Sequence, residues 1–221
     1  MTAGLAWHWE TRHGDAASLH EPVPPSTPGR TAYELVVDRP AVVLGSSQSI
    51  DDIDSAAARA AGIDVVRRRS GGGAVLLVPG EHLWIDVWLP ASDPLWLDDV
   101  GWAGNWLADV WVETLAALGH TGLHTYTGPM THNEWSGRVC FAGLGPGEVT
   151  TEGRKIVGVS QRRTRDWARF QCVVHRRWDA ATTFGLLSAA GAVAAAEDWL
   201  GAVAEVGEAP VRQEVERLLP R

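Results

Sequence analysis

Between residues 33 and 175 the chain is a succession of short apolar, β-branched runs, at 33–37, 41–44, 63–67, 74–78, 83–89, 139–141, 148–151, 155–159 and 169–175, punctuated by turn residues. Helical periodicity is sustained over 102–118, where Trp102, Trp106 and Trp111 are expected in the core, and then over 182–188, 192–200 and 211–219. Strict strand–helix alternation would build a parallel sheet; strands in the middle with helices at the end predict a mixed α+β domain. Ser49-Ile50-Asp51-Asp52 has the spacing of a capping box and is expected to open a helix that runs through 56–61 and stops at Gly62. The runs 74–78 and 83–89 read as a hairpin around Pro79-Gly80, and Glu152-Gly153 signals a second hairpin.

The 221 residues carry no internal repeat, which suits one domain. Residues 31–221 are expected to form it, behind an N-terminal segment 1–30 made of a strand near 5–10 and the Pro-rich loop 21–30. The formal net charge of −8 does not favour nucleic acid as a partner. No apolar run approaches the roughly 18 residues of a membrane span, and the start lacks the basic and apolar regions of a signal peptide. Two cysteines fit a reducing, cytoplasmic setting. Twelve tryptophans argue for wide flat walls in a core or pocket.

Two segments carry chemistry. In Arg67-Arg68-Arg69-Ser70-Gly71-Gly72-Gly73 the glycines have no Cβ to hold a ligand away from the backbone, and the arginines supply charge for a phosphate or carboxylate. The spacing excludes a P-loop and a dinucleotide fingerprint, and a flexible turn on a solvated basic face is the other reading. In Arg154-Lys155-Ile156-Val157-Gly158-Val159-Ser160-Gln161 a lysine opens a strand just after a turn. It is the only lysine in the chain, and a compact ammonium suits a developing oxyanion. A charged edge strand is the alternative. Gly158 allows close approach, and Ser160 and Gln161 can orient a polar group. His82 and Trp84 follow the glycine segment and are positioned to border a pocket. His120, His124 and His132 lack ligand spacing, so no metal site is expected.

Together the two segments resemble the paired motifs of the lipoate–protein ligase family, a glycine segment followed about eighty residues later by Gly-Arg-Lys-x-x-Gly-x-Ser/Ala-Gln-Arg; the likeness spans roughly 33–175. The resemblance implies a biotin/lipoyl-ligase-like catalytic domain, a mixed β-sheet backed by helices. It implies transfer of a lipoyl or octanoyl group to a lysine of a lipoyl carrier domain, such as the glycine-cleavage H protein or the 2-oxoacid dehydrogenase E2 component. By position, Lys155 would meet the acyl carbonyl, while Arg67, Arg68, Ser70, Gly71, Gly72, Gly73, Gly158, Ser160 and Gln161 would line the acyl or adenylate site, with Glu148 and Arg154 in support.

The resemblance leaves two mechanisms open. A ligase would use ATP with Mg2+ and lipoate or octanoate, passing through acyl-AMP. A transferase would need no cofactor and would take the acyl group from an acyl carrier protein onto a cysteine. Cys140, fifteen residues before Lys155 in a Cys-Phe…Glu…Gly-Arg-Lys run, resembles the nucleophile of cysteine-dependent octanoyltransferases. Nearby Arg138, Arg154 and Lys155 would stabilise its thiolate; an inert core thiol is the alternative, and Cys172 is expected in the core. The chain departs from the ligase pattern at Leu76-Leu77-Val78, Pro146-Gly147-Glu148 and Gln171-Cys172-Val173, and a single domain without a C-terminal accessory domain is expected. A non-catalytic acyl-binding relative and a biotin ligase are the further readings.

Overall fold

The computed structural model describes residues 6–26 and 29–220. Two sheets form its frame. In the larger, strands β1 (His8–Gly14), β2 (Thr31–Val37), β6 (His82–Pro90), β10 (Trp167–His175), β9 (Arg154–Arg163), β8 (Val149–Thr151) and β7 (Leu123–Thr125) lie side by side in that order. Only the β1–β2 pair is parallel. In the smaller, β3 (Ala41–Leu44) lies between β4 (Asp64–Arg67) and β5 (Val75–Leu77). The result is an α+β fold.

The large sheet is buried on both faces because its strands alternate two kinds of apolar surface. Leu83, Ile85, Val87 and Leu89 of β6, with Phe170, Cys172 and Val174 of β10, pack against the helices α3 (Asn105–Ala117) and α6 (Val211–Leu218). Trp84 and Trp88 of β6 turn to the other face and meet the small sheet and α4 (Ala180–Gly185). That second face also carries a row of polar side chains in register across β9, β10 and β6: half-buried Ser160 and buried Gln171 and Asp86. Buried polar groups in an apolar layer need partners; this row lies under the site described below.

Several sequence expectations are corrected. The runs 74–78 and 83–89 do not pair: β5 joins β3 and β6 joins β2 and β10, so the turn at Pro79-Gly80 carries the chain from one sheet to the other. The Ser49–Asp52 capping box is present, but it caps a single 3₁₀ turn at Ile50–Asp52. Buried Ile53 then bridges to Leu187, and Asp54 caps a separate helix, α2 (Ser55–Ala60). Val139 makes one bridge to Ala74, and Cys140–Ala142 is a 3₁₀ turn rather than a strand. The first strand starts at His8, later than expected, and the residue-5 end of the expected strand lies outside the described residues. Trp111 is fully buried, whereas Trp102 precedes α3 and is exposed. Among the described residues no helix is long and apolar enough to cross a membrane.

Candidate active site

The site lies between the large sheet's second face and the small sheet, where the two chemistry-bearing segments meet the loop 138–148. The glycine segment comes first. A Cβ on Gly73 would stand 2.6 Å from the backbone N and C of Val139, so only glycine lets the two chains touch. The contact is locked by Ala74 N donating to Arg138 O at 2.7 Å and Cys140 N donating to Ala74 O at 2.8 Å. Cys140 is thereby fixed beside the glycines, half-buried, with its side chain on the cleft wall.

Lys155 reaches the same loop from below. The β8–β9 register slips between Val149 and Thr150, a bulge of the kind that re-aims side chains. Lys155 Nζ donates to Cys140 O at 3.0 Å and Gly143 O at 3.2 Å and pairs with Glu148 Oε1 at 2.6 Å. The Phe141 ring lies 4.9 Å from the ammonium. Both side chains of the ion pair are buried. Glu148 is bound further: its Oε2 accepts from Gly145 N at 2.8 Å and its Oε1 from Val159 N at 3.2 Å. Gly158, with no side chain, leaves room for the Phe141 ring.

Two connected spaces result. The open cleft has a volume of about 430 Å³, and its walls include Gly71, Gly72, Gly73, Cys140, Glu148, Lys155, Ser160 and Gln161. That size lies in the range of small-molecule sites, about 300–1,000 Å³. A narrow slot of about 40 Å³ leads inward, shares Cys140, Val159 and Ser160 with the cleft, and is walled by Val75, Leu77, Trp84, Phe141 and Val173. Ser160, at the junction, has its Oγ 3.1 Å from that of Ser70, which is buried behind it, lines neither space and donates to Gln171 Oε1 at 3.4 Å. Gln161 Nε2 is buried at the cleft wall with no protein partner.

The arginines are placed differently from the sequence expectation. Arg67 turns away from the cleft and donates to the carbonyls of Gly45, Ser46 and Gln48. Arg68 borders the slot, but its guanidinium is taken by Val43 O, Gly71 O and Gly73 O; it shapes the loop. Arg154, one residue from Lys155 on the strand, faces outward to Glu152. Arg138 pairs with Asp52 at 3.7 Å. The cation cluster expected around the Cys140 thiol is therefore not assembled: backbone carbonyls and acidic side chains compete for these guanidiniums, and Lys155 meets the carbonyl of Cys140.

Other residues reach the site without a strong sequence signal. Met130, His132 and Ser136 line the cleft. His20, at the end of α1 (Ala16–His20), lines the slot and packs on Trp84 at a tilt of 39°, with ring centroids 4.2 Å apart. Burial holds the His20 imidazole neutral, with its pKa lowered to about 3. Trp84 borders the slot as expected; His82 lies outside it. Cys172 is fully buried on the opposite face, and burial pushes its thiol up to about 12. Among the described residues no group of three or more His, Cys, Asp or Glu could hold a metal ion.

The family described as lipoyl protein ligase A/B catalytic domain matches residues 22–206. Among solved structures, the chain is similar to protein Ta0514 from T. acidophilum with bound lipoic acid, at 16% identity and a TM-score of 0.70, covering 97% of this chain and 84% of that one. Lipoate-protein ligase A bound with ATP gives 16% identity and a TM-score of 0.70 over 97% and 83% of the two chains. A bi-partite lipoate protein ligase from Thermoplasma acidophilum, described together with its E2 lipoyl domain, gives 17% and 0.68 over 95% and 82%. At these identities the likeness is one of fold. No curated protein matches the sequence significantly.

Proposed function

The chain belongs to the lipoyl protein ligase A/B catalytic domain family and is an enzyme of that family; from that premise we propose that it moves a lipoyl or octanoyl group onto the lysine of a lipoyl carrier domain, with Cys140 carrying the acyl group as a thioester. One observation carries the thioester reading: Cys140 lines both the apolar slot and the open cleft. An acyl tail in the slot and a carrier arm in the cleft meet at its sulfur.

In the first half-reaction the Cys140 thiol gives up its proton and its sulfur attacks the carbonyl carbon of a donor thioester on an acyl carrier protein. The new C–S bond forms, the donor C–S bond breaks, and the donor thiolate takes a proton. In the second, the carrier lysine's amine attacks the same carbon, the C–N bond forms, and the Cys140 thiolate leaves with the amine proton. Nothing is oxidised or reduced. Lys155 places a positive charge beside the reacting centre, where charge develops on the acyl oxygen. All three of its N–H groups already have acceptors, so direct donation to that oxygen requires it to release Cys140 O or Gly143 O.

The likeness to lipoate-protein ligase A bound with ATP favours a second reading, in which lipoate or octanoate is activated by ATP. The cleft suits Mg2+ and triphosphate poorly. Its acid, Glu148, is spent on Lys155 and two backbone amides, and Arg67, Arg68 and Arg154 are bound elsewhere. The likeness to a ligase described with its E2 lipoyl domain supports a carrier domain of that kind as the acceptor. The two free thiols suit a reducing cytoplasm.

The deciding assay supplies apo H protein or an apo E2 lipoyl domain with either octanoyl acyl carrier protein or octanoate plus ATP. We expect modification from the carrier protein without ATP, abolished in Cys140→Ala. Modification by Cys140→Ala that requires ATP would establish the ligase route instead.

A further inference from the structure

We infer that His20 closes the inner end of the slot and sets acyl-chain length, stopping a linear chain at about eight carbons. The inference rests on reading the site as an acyl-transfer site and goes further, to the substrate that it selects.

The slot runs across the strands. Gly158 of β9, Val173 of β10 and Trp84 of β6 lie in one register row. Cys140 and Phe141 stand over the β9 end, and His20 stands over Trp84 at the β6 end. Two strand spacings of about 4.8 Å give about 10 Å from mouth to stop. An extended backbone covers about 3.5 Å in three bonds, so about 10 Å takes about eight carbons of linear chain.

The stop is built, not incidental. His20 Nδ1 is 2.8 Å from Ala16 O within α1. The carbonyls of Leu19, His20 and Glu21 all accept from the Arg169 guanidinium. Arg169 is in turn buried in an ion pair with Asp86, whose other oxygen accepts from Trp84 Nε1 at 2.7 Å. One network thus ties the helix that carries His20 to the tryptophan on which it rests. Arg169 and Asp86 act as positioning residues; His20 and Trp84 would touch the chain's end. The imidazole is neutral through burial, so the stop is compatible with a methyl terminus.

Width points to the same substrate class. The slot's 40 Å³ is only a few times the roughly 10–15 Å³ that a single water needs. Binding must part its walls, and a linear saturated chain parts them least; a dithiolane ring needs more room.

The test titrates the full chain with hexanoate, octanoate, decanoate, dodecanoate and lipoate. In parallel, intact mass follows acylation of Cys140 by the matching acyl thioesters. The wild type should bind octanoate best and lose about tenfold at decanoate and at lipoate. His20→Ala should move the optimum to decanoate or dodecanoate, and His20→Phe should keep it at octanoate. Trp84→Leu, which opens the same wall from β6 and keeps the Arg169 bonds to the α1 carbonyls, should also lengthen the optimum and serves if His20→Ala fails to fold. An octanoate optimum retained in folded His20→Ala and in Trp84→Leu overturns the stop, as does binding without length dependence. Cys140 acylation separates the two levels: acylation with an unmoved optimum defeats only the stop, whereas no acyl binding and no acylation defeat the proposed function with it.

Discussion

Lys155 Nζ stands 2.6 Å from Glu148 Oε1 and gives its two remaining N–H groups to Cys140 O and Gly143 O. An ammonium has three donors and no acceptor, so this lysine is saturated by the loop that carries the candidate nucleophile. It therefore organises the loop as well as supplying charge. Removing one partner of a buried ion pair leaves the other charge uncompensated, at a cost of about 3–5 kcal/mol. Glu148→Gln should lower stability by about 3 kcal/mol in a urea titration. The double variant Lys155→Met/Glu148→Leu should recover part of that loss while acyl transfer stays absent. A Glu148→Gln protein as stable as wild type would show that the pair is not the organising contact.

The glycine segment supports Cys140 through backbone contact, which separates its members. On Gly73 a methyl group would press on the backbone of Arg138 and Val139, which cannot rotate away; on Gly71 it would meet nothing within 4 Å. Gly73→Ala should cost about 1–3 kcal/mol, the range of overpacked sites, and should change the alkylation rate of Cys140 by shifting the 74–140 contact. Gly71→Ala should stay within about 0.5 kcal/mol of wild type. Equal stability losses at the two positions, measured by denaturant midpoints, would contradict this division.

Much of the frame was legible because it is locally encoded. β2, β3, β9 and β10 are β-branched runs bounded by turn residues, and the Glu152-Gly153 turn joins neighbours in one sheet. Legibility ended where a segment's fate depends on distant partners. Residues 74–78 and 83–89 look like a hairpin, but nothing local says that one joins β3 and the other β10. The capping box at Ser49 reads as a long helix because the bridge from Ile53 to Leu187 is invisible in sequence. At the site, Lys155 stood out as the only lysine, and the motif resemblance rather than local spacing made Lys155 and Cys140 site residues; the cleft is lined by both. The arginines stood out by charge alone, and the carbonyls that claim Arg67 and Arg68 lie some twenty-five or fewer residues back, in the 43–48 stretch, or in the glycine loop itself. His20 gave no signal: its role depends on Arg169, whose bonds to it span 149 residues.

Burial also makes a pH prediction. His175 is packed edge-on to Phe141 and Trp178, and its pKa is lowered to about 3, chiefly by burial, with His82 and Lys155 adding in the same direction. The unfolded chain, with an ordinary histidine pKa near 6.5, binds this proton between pH 6.5 and about 3 while the folded chain does not. The His175 contribution is therefore fully present above about pH 6.5 and is lost as pH falls, at about 1.4 kcal/mol per pH unit. His175→Leu should remove that slope. Stability curves for wild type and variant, measured by denaturant from pH 7 to pH 4, should converge toward acid; parallel curves would mean that His175 is not held neutral.

The two cysteines give a final prediction that bears on mechanism. Cys140 is half-buried on the cleft wall, whereas Cys172 is fully buried against α3 with its thiol pushed up to about 12. The thiolate is the reactive form, and at pH 8 Cys172 holds about one part in 10⁴ of it. Iodoacetamide should therefore add one carbamidomethyl group to the native chain, at Cys140, and a second only after unfolding. Octanoyl thioester supplied first should occupy the same sulfur and block the label, and hydroxylamine should restore it by cleaving the thioester. Labelling of Cys140 that is indifferent to prior acyl donor would locate the acyl group elsewhere in the cleft, and the covalent route through this sulfur would fail on that result.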